Sequence, residues 1–258
     1  ETGQATHIVR HDPAGVVVII TPWNSPLMLA TWKLGPALAA GNTVIVKPPE
    51  WAPLTSSLLA DCAHAAGLPP GVFNIVQGSG AHTGAKLVSD PRLARVSFTG
   101  SVPTAKWIAQ AAGANLVPCS LELGGKSPFI VLEDADIDNA AATGALMYRN
   151  AGQVCLAGTR FLVHTKVRDA FVAAMRGYVE KLNIGDPRDE AVEIGPIIHP
   201  RQVERVKGFV ERALADGAEL LWGGQPHPFG AQYFEPTMLT NLRQDSEIVQ
   251  NEVFGPVL

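Results

Sequence analysis

Three short stretches of this 258-residue chain carry side chains able to do acyl chemistry: PWNSP with Asn24, LELGGKSP with Glu122 and GQVCLAG with Cys155. A thiol can add to a carbonyl carbon, a side-chain amide can hold the oxyanion that forms, and a carboxylate can draw a proton from thiol or water. That set is what oxidising an aldehyde through a thiohemiacetal and a thioester requires. Each residue also stands beside glycine or proline, which puts it on a turn at the end of a strand or helix.

Read locally, each residue has a plainer role as well. Free cysteine is among the most buried residue types, and an ordinary thiol is mostly protonated at neutral pH, so a nucleophilic one needs a helper. Asparagine between Pro22-Trp23 and Ser25 is a common turn residue, and Glu122 could be tied to nearby Lys126. Cys62, in LLADCAHAAG, and Cys119, in LVPCSLEL, read as core residues.

Lys47 and Glu50, in VIVKPPEW, follow an apolar β-branched run, the position at which doubly wound sheets bind nucleotides. The alternative there is a solvated ion pair. Gly100 and Ser101, in SFTGS, precede the helical stretch VPTAKWIAQAA; a helix start with small residues suits a phosphate, and an N-cap serine after glycine gives the same pattern. Residues 78–84, GSGAHTG, lack the GxGxxG spacing. Seven scattered histidines form no HExxH and three cysteines no CxxC, so no metal is expected. A GxSxG nucleophile elbow is absent as well.

The elements that must position these residues alternate. From residue 15 to 98 the β-branched runs GVVVIITP, NTVIVKP, GVFNIVQG and LARVSFTG are separated by the amphipathic stretches PLMLATWKLGPALAAG, LTSSLLADCAHAAG and HTGAKLVSD. This predicts right-handed βαβ crossovers and a parallel sheet covered on both faces. Gly41, Gly67 and Gly113 fall where helices should stop. After Gly125 the pattern predicts a strand in PFIVLEDAD, a helix over residues 137–149, a strand TRFLVH and helices over 168–182 and 201–216. Short strands follow near Leu220 and Tyr233, with residues 183–200 and 223–230 as loops. The expected fold is α/β: a parallel doubly wound domain over residues 15–123, then a second α/β domain over 124–258, divided at Gly124-Gly125.

Composition narrows the function. Hydrophobic residues at 47% and charged residues at 17% describe a chain that folds and buries a core. A net charge of -4 without a Lys/Arg run offers no footprint for nucleic acid. The apolar run at residues 16–21 is too short to span a membrane. Three cysteines that cannot all pair fit a reducing, cytoplasmic compartment. A chain that starts without methionine and stops just after NEVFGPVL reads as part of a longer one.

In this order, PWNSP, KPPE, SFTGS, LELGGKSP, GQVC and NEVFGPV resemble the motif set of the aldehyde dehydrogenase superfamily, and they cover nearly the whole chain. Any one recurs by chance; six in the family's order do not. The resemblance implies NAD-dependent oxidation of an aldehyde to a carboxylic acid. Cys155 is then the nucleophile, Asn24 and the Cys155 backbone N–H hold the oxyanion, and Glu122 is the base for the thiol, the deacylating water, or both. It also implies Lys47 and Glu50 on the adenosine ribose, where a carboxylate repels the 2′-phosphate of NADP and favours NAD. Gly100 and Ser101 would meet the phosphates, Pro22 and Trp23 the cofactor, and Glu252 and Phe254 the nicotinamide ribose and ring; a capping carboxylate and a core phenylalanine are the plain alternatives for the last two.

Family members extend further at both ends and are commonly dimers or tetramers. Residues 1–14, which include THIVRHDP, are therefore expected to be the remnant of an assembly strand, residues 15–123 a partial dinucleotide-binding domain and residues 124–258 a partial catalytic domain. FGPVL is expected as exposed interface or missing-contact surface, residues 29–32 and 147–150 as walls of a partly apolar substrate tunnel, and the positions around Met28, Trp32, Met147 and the neighbours of Cys155 as those that set acyl-chain specificity. Two further readings stand beside this one: a coenzyme A-acylating relative, which a positioned Glu122 argues against, and a nucleotide-binding fragment without turnover.

Overall fold

The run VVVII folds as the middle strand of a sheet, which its unbroken apolar character suits, since both its faces are covered. In the computed structural model, which describes residues 6–258, the chain divides into two compact units, the first ending at Leu123 and the second spanning Gly124–Leu258. The first unit alternates β1 (Val16–Ile20), α1 (Pro26–Ala39), β2 (Thr43–Lys47), α2 (Leu54–Ala65) and β3 (Phe73–Ile75). A π-helical turn (Gly80–Gly84) then leads into α3 (Ala85–Val88), β4 (Arg95–Gly100), α4 (Val102–Gly113) and β5 (Cys119–Leu123). All five strands are parallel, in the order β3-β2-β1-β4-β5.

Alternation along β1 builds two cores. Val18 packs with Val96, Phe98, Ile108 and Ala112 on the α4 side, while Val17 and Ile19 join Leu34, Val44 and Val46. Each such side chain contributes about 1.5–3 kcal/mol when fully buried, so β1 is held from both sides and fixes where its carboxyl end delivers the next loop. The chain runs outward from β1 to β3 and returns to β1's other side for β4. Between β1 and β4, connections therefore leave in opposite directions, which is where a doubly wound sheet opens a crevice.

Gly41 and Gly67 close their helices in the left-handed region, at φ 81° and 83°. Gly113 does not: it is the last residue of α4, and the chain turns away at Leu116, φ 55°, whose N–H returns to the Gly113 carbonyl.

The second unit contains β6 (Pro128–Val131), α5 (Ile137–Ala145), a 3-10 stretch (Leu146–Gly152), β7 (Arg160–Val163), α6 (Arg168–Val179), α7 (Pro200–Ala215), β8 (Glu219–Trp222), β9 (Met238–Thr240) and α8 (Glu247–Gln250). β6 pairs with β7 in parallel and β8 with β9 antiparallel. Tyr148 lies fully buried in its core, donating to the Thr237 carbonyl at 2.9 Å and accepting from Trp222 Nε1 at 3.2 Å. Burial pushes its phenol far above the ordinary range.

Three expectations are corrected here. The helix over residues 137–149 stops at Ala145, where the backbone tightens and then turns left-handed at Asn150 and Ala151. The strand near Tyr233 is only an isolated bridge between Pro226 and Phe234; left-handed Gly223 and Gly224 turn the chain, and β8 finds its partner further on, at β9. The FGPVL end is not exposed: Val257 and Leu258 are buried, with Leu239 N donating to Leu258 O at 2.9 Å. Residues 6–14 carry neither helix nor strand, and residues 1–5 of the expected assembly segment lie outside the described residues. Among the described residues no helix is long and apolar enough to cross a membrane.

Candidate functional site

Because the five strands of the first unit are parallel, their carboxyl ends form one edge, and every site residue predicted in this unit stands on it. Pro22, Trp23 and Asn24 follow β1, Lys47 ends β2 with Glu50 in the turn beyond, Gly100 ends β4, and Glu122 is next to last in β5, paired in register with Thr99. Ser25 and Pro26 start α1, and Ser25 Oγ donates to the Asn24 carbonyl at 2.8 Å. Asn24 thus lies immediately before Ser25, the N-cap of the helix.

At the crevice between β1 and β4 stand two residues that sequence reasoning missed. Thr21 and Thr99 are 4% and 5% exposed, each one step beyond the register pair Ile20–Phe98, and both hydroxyls are buried without a hydrogen-bond partner. An unsatisfied buried hydroxyl costs about 1–3 kcal/mol, so this edge is suited to receive a polar group. A β-branched threonine at a strand end reads as ordinary strand, which is why pattern alone passed over them.

Lys47 is buried and its ammonium lies 3.7 Å from Glu50 Oε1. Burial pulls its pKa down, and Glu50 opposes that pull. Glu50 Oε1 also accepts from Gly80 N, tying the β2 turn to the glycine-rich turn after β3. The rings of Trp23 and Trp51 meet at 5.9 Å, inclined by 42°, and link the loops after β1 and β2.

Gly100 has a steric reason to be glycine, since a Cβ there would come within 2.4 Å of Phe98 Cζ. Ser101 caps α4, its Oγ accepting from Thr104 N at 3.4 Å, so the plain capping role is realised here and leaves the helix start open to an anion.

Glu122 is exposed. Its charged neighbour within this unit is Lys33 of α1, which burial drives down in pKa and Glu122 draws up; Lys33 Nζ donates to Ser97 Oγ at 3.0 Å. In sequence Lys33 reads as an exposed helix residue. The available signal was one cation in the otherwise uncharged PLMLATWKLGPALA. On the same helix Met28 and Trp32 are exposed, whereas Leu29 and Ala30 are buried and belong to the core rather than to a tunnel wall.

In the second unit Cys155 is a half-buried free thiol just beyond an unusual turn. Asn150, Ala151 and Gly152 are left-handed in succession, at φ 52°, 53° and 67°, a conformation that costs an L-residue roughly 1–2 kcal/mol. Strain of this kind concentrates at functional sites. No side chain fits at Gly152, where a Cβ would lie 2.0 Å from Gly255 O. The turn therefore rests directly on the backbone of the NEVFGPV segment. That segment is itself held by α7, through Gln202 Nε2 to Phe254 O at 2.8 Å and Arg205 to Glu252 O at 2.7 Å. Phe254 too is left-handed, φ 58°. Met147, expected as a tunnel wall, packs against the core, and its sulfur accepts from Gly158 N at 3.2 Å.

The Glu252 carboxylate sits over Gly124, accepts from Gly125 N, and is raised in pKa by burial, with Arg205 and Lys126 opposing. Its Oε1 is buried without a hydrogen-bond partner. Lys126 is pulled down to about 8 by burial, with Glu252 opposing and Arg160 adding to the fall. Lys126 thus answers to Glu252. Of the other cysteines, Cys62 is exposed and corrects its reading as core: it lies on the outer face of α2. Cys119 is half-buried, its thiol pushed up by burial.

Five parallel strands in this order, with the predicted residues along their carboxyl edge, define a Rossmann-like α/β protein. The model of the aldehyde dehydrogenase family matches residues 1–258, and the chain belongs to that family. It is 42% identical to a Staphylococcus aureus (strain USA300) protein named "Putative aldehyde dehydrogenase", over all of this chain and 55% of that protein. Among solved structures, 3,6-anhydro-L-galactose dehydrogenase in complex with NAP is similar at 44% identity and TM-score 0.92, over 95% of this chain and 53% of that one. Aldehyde dehydrogenase C from Pseudomonas syringae, a cysteine-to-alanine mutant in complex with NAD+ and octanal, matches at 40% identity and TM-score 0.92, over 96% and 52%. The chain thus spans about half the length of the relatives it matches.

Proposed function

We propose that the protein oxidises an aldehyde to a carboxylic acid with NAD, residues 15–123 binding the dinucleotide and residues 124–258 supplying the thiol. The observation that carries this reading is the gathering of Asn24, Lys47, Glu50, Gly100 and Glu122 along one sheet edge in a chain of the aldehyde dehydrogenase family. Cys155 forms the thiohemiacetal and thioester, Asn24 donates to the oxyanion, and Glu122 takes the proton from the thiol or the deacylating water.

The unpaired hydroxyls of Thr21 and Thr99 and the unpaired Glu252 Oε1 suit a polar cofactor. Lys47 and Glu50 would hold its adenosine ribose, Ser101 and the α4 N-terminus its phosphates, Pro22 and Trp23 its neighbouring surface, and Glu252 and Phe254 its nicotinamide ribose and ring. When bound, the dinucleotide supplies the hydride acceptor. Glu50 favours NAD over NADP through repulsion of a 2′-phosphate; relatives with NAP and with NAD+ are both known. A homodimer or homotetramer in the cytoplasm completes the reading.

The test is NADH formation by the protein across a panel of aldehydes, with and without coenzyme A. Acid product and NADH are expected without coenzyme A. Acyl-CoA as the product would shift the assignment to an acylating relative, and NAD binding without NADH from any aldehyde would overturn it.

A further inference from the structure

The left-handed turn that leads into Cys155 is tied to the start of α7 by an uncharged side chain. Gln153 is 3% exposed, although its amide has two hydrogen-bonding ends. Nε2 donates to the Asn150 carbonyl at 2.8 Å, and Oε1 accepts from Ile198 N at 3.0 Å. Its backbone N–H also reaches Asn150 O, at 3.1 Å, and Asn150 Nδ2 donates back to Gln153 O at 3.3 Å. Ile198 immediately precedes His199, the N-cap of α7. A single amide therefore spans from the strained turn to the start of the longest helix in the unit, two residues before the thiol.

We propose that Gln153 is a positioning residue for Cys155, tying the Asn150–Gly152 turn to the α7 N-terminus so that the thiol projects in one direction. The role extends the proposed dehydrogenase reading, in which Cys155 is the nucleophile, and it makes a separate demand on the chemistry of the side chain. The site needs a donor toward Asn150 and an acceptor toward Ile198 at once. Glutamine meets both. A protonated glutamate would too, whereas an ionised one would turn a carboxylate oxygen onto the Asn150 carbonyl, and methionine would fill the space with neither group. Loss of the tie frees two non-glycine residues, Asn150 and Ala151, to relax from left-handed backbone, and small misplacements of a reacting group are costly in rate.

Two variants, Gln153→Met and Gln153→Glu, test this at a temperature where they and the native protein are fully folded. The measurements are kcat, KM for NAD, and the rate of Cys155 alkylation by iodoacetamide followed by peptide mass spectrometry, with exposed Cys62 as internal standard. Gln153→Met is expected to slow turnover and Cys155 alkylation at least about tenfold, leaving KM for NAD and Cys62 labelling within about twofold. A buried carboxyl ionises above the ordinary range, so the Gln153→Glu deficit should narrow as pH falls from about 8 to about 5.5. The Gln153→Met deficit should not. His199 and Arg149, the titratable groups adjoining Ile198 and Asn150, together with Cys155 itself, are common to all three proteins and cancel in the ratios. Native kcat and alkylation in Gln153→Met, or a Gln153→Glu deficit flat in pH, would overturn the proposal. If the native protein made no NADH while Cys155 alkylation followed the expected pattern, the dehydrogenase reading would fail and the positioning role would stand.

Discussion

A methyl group on Gly124 would fall 2.2 Å from Oε2 and 2.3 Å from Oε1 of Glu252, so the space left by the missing side chain is the seat of that carboxylate. Gly124 is not left-handed, and its backbone accepts alanine without strain. Gly124→Ala is therefore expected to move the Glu252 carboxylate while leaving the fold intact. With Glu252 on the nicotinamide ribose, KM for NAD should rise about tenfold or more, equivalent to about 1.4 kcal/mol, with a near-native Tm. A variant with native KM would detach Glu252 from the cofactor.

Lys126 gives a pH signature with a definite sign. Its pKa in the folded protein is about 8 against an ordinary 10.5, so the unfolded chain holds the proton more tightly. Below about pH 8 both states are protonated and folding bears the full cost of burying the cation; between about 8 and 10.5 the folded state releases its proton and the cost is relieved. Native stability should rise through this window relative to Lys126→Met, by an amount on the order of 3 kcal/mol. Urea unfolding of both proteins at several pH values checks it, and parallel curves would remove Lys126 from the balance.

The sheet and its edge were legible because both rest on local signals. Apolar β-branched runs between amphipathic stretches predict parallel strands, and parallel strands put PWNSP, KPPE and SFTGS on one edge. Contacts that depend on register or on distant chain were not legible. Lys33 meets Glu122's charge because its long side chain reaches from α1 to Ser97 on β4, the strand beside β5, and Thr21 and Thr99 become orphans only once β1 and β4 are neighbours. Gln153 carries no local signal of its role, because its partner Ile198 lies 45 residues further along the chain. Cys62 was misread because a helix with small residues on every side, LTSSLLADCAHA, gives no clear inner face.

Glu50 joins selectivity to stability. Glu50→Gln removes the carboxylate expected to repel a 2′-phosphate and leaves the Lys47 ammonium without its ion-pair partner. The ratio of kcat/KM for NAD to that for NADP should fall by about tenfold or more, as loss of one repulsive charge at short range allows. Tm should fall too, since a buried cation stripped of its partner is destabilising. A fall in Tm with an unchanged cofactor ratio would leave Glu50 a purely structural partner of Lys47 and Gly80.

Asn24 offers the cleanest separation of chemistry from folding. Helix α1 is started by Ser25 and by Pro26 at its first position, so Asn24→Ala removes no helix cap, and turnover is compared at a temperature where both proteins are fully folded. As an oxyanion donor its amide acts only once the carbonyl oxygen becomes charged, and losing such a donor costs about 3 kcal/mol in the barrier. Turnover should fall by roughly two to three orders of magnitude with KM little changed, the pattern of an interaction made only in the transition state. Cys155 alkylation by iodoacetamide generates no oxyanion and should proceed at the native rate in Asn24→Ala. A parallel loss of alkylation would mean that Asn24 acts on the thiol itself, and near-native turnover would return it to the role of a turn asparagine.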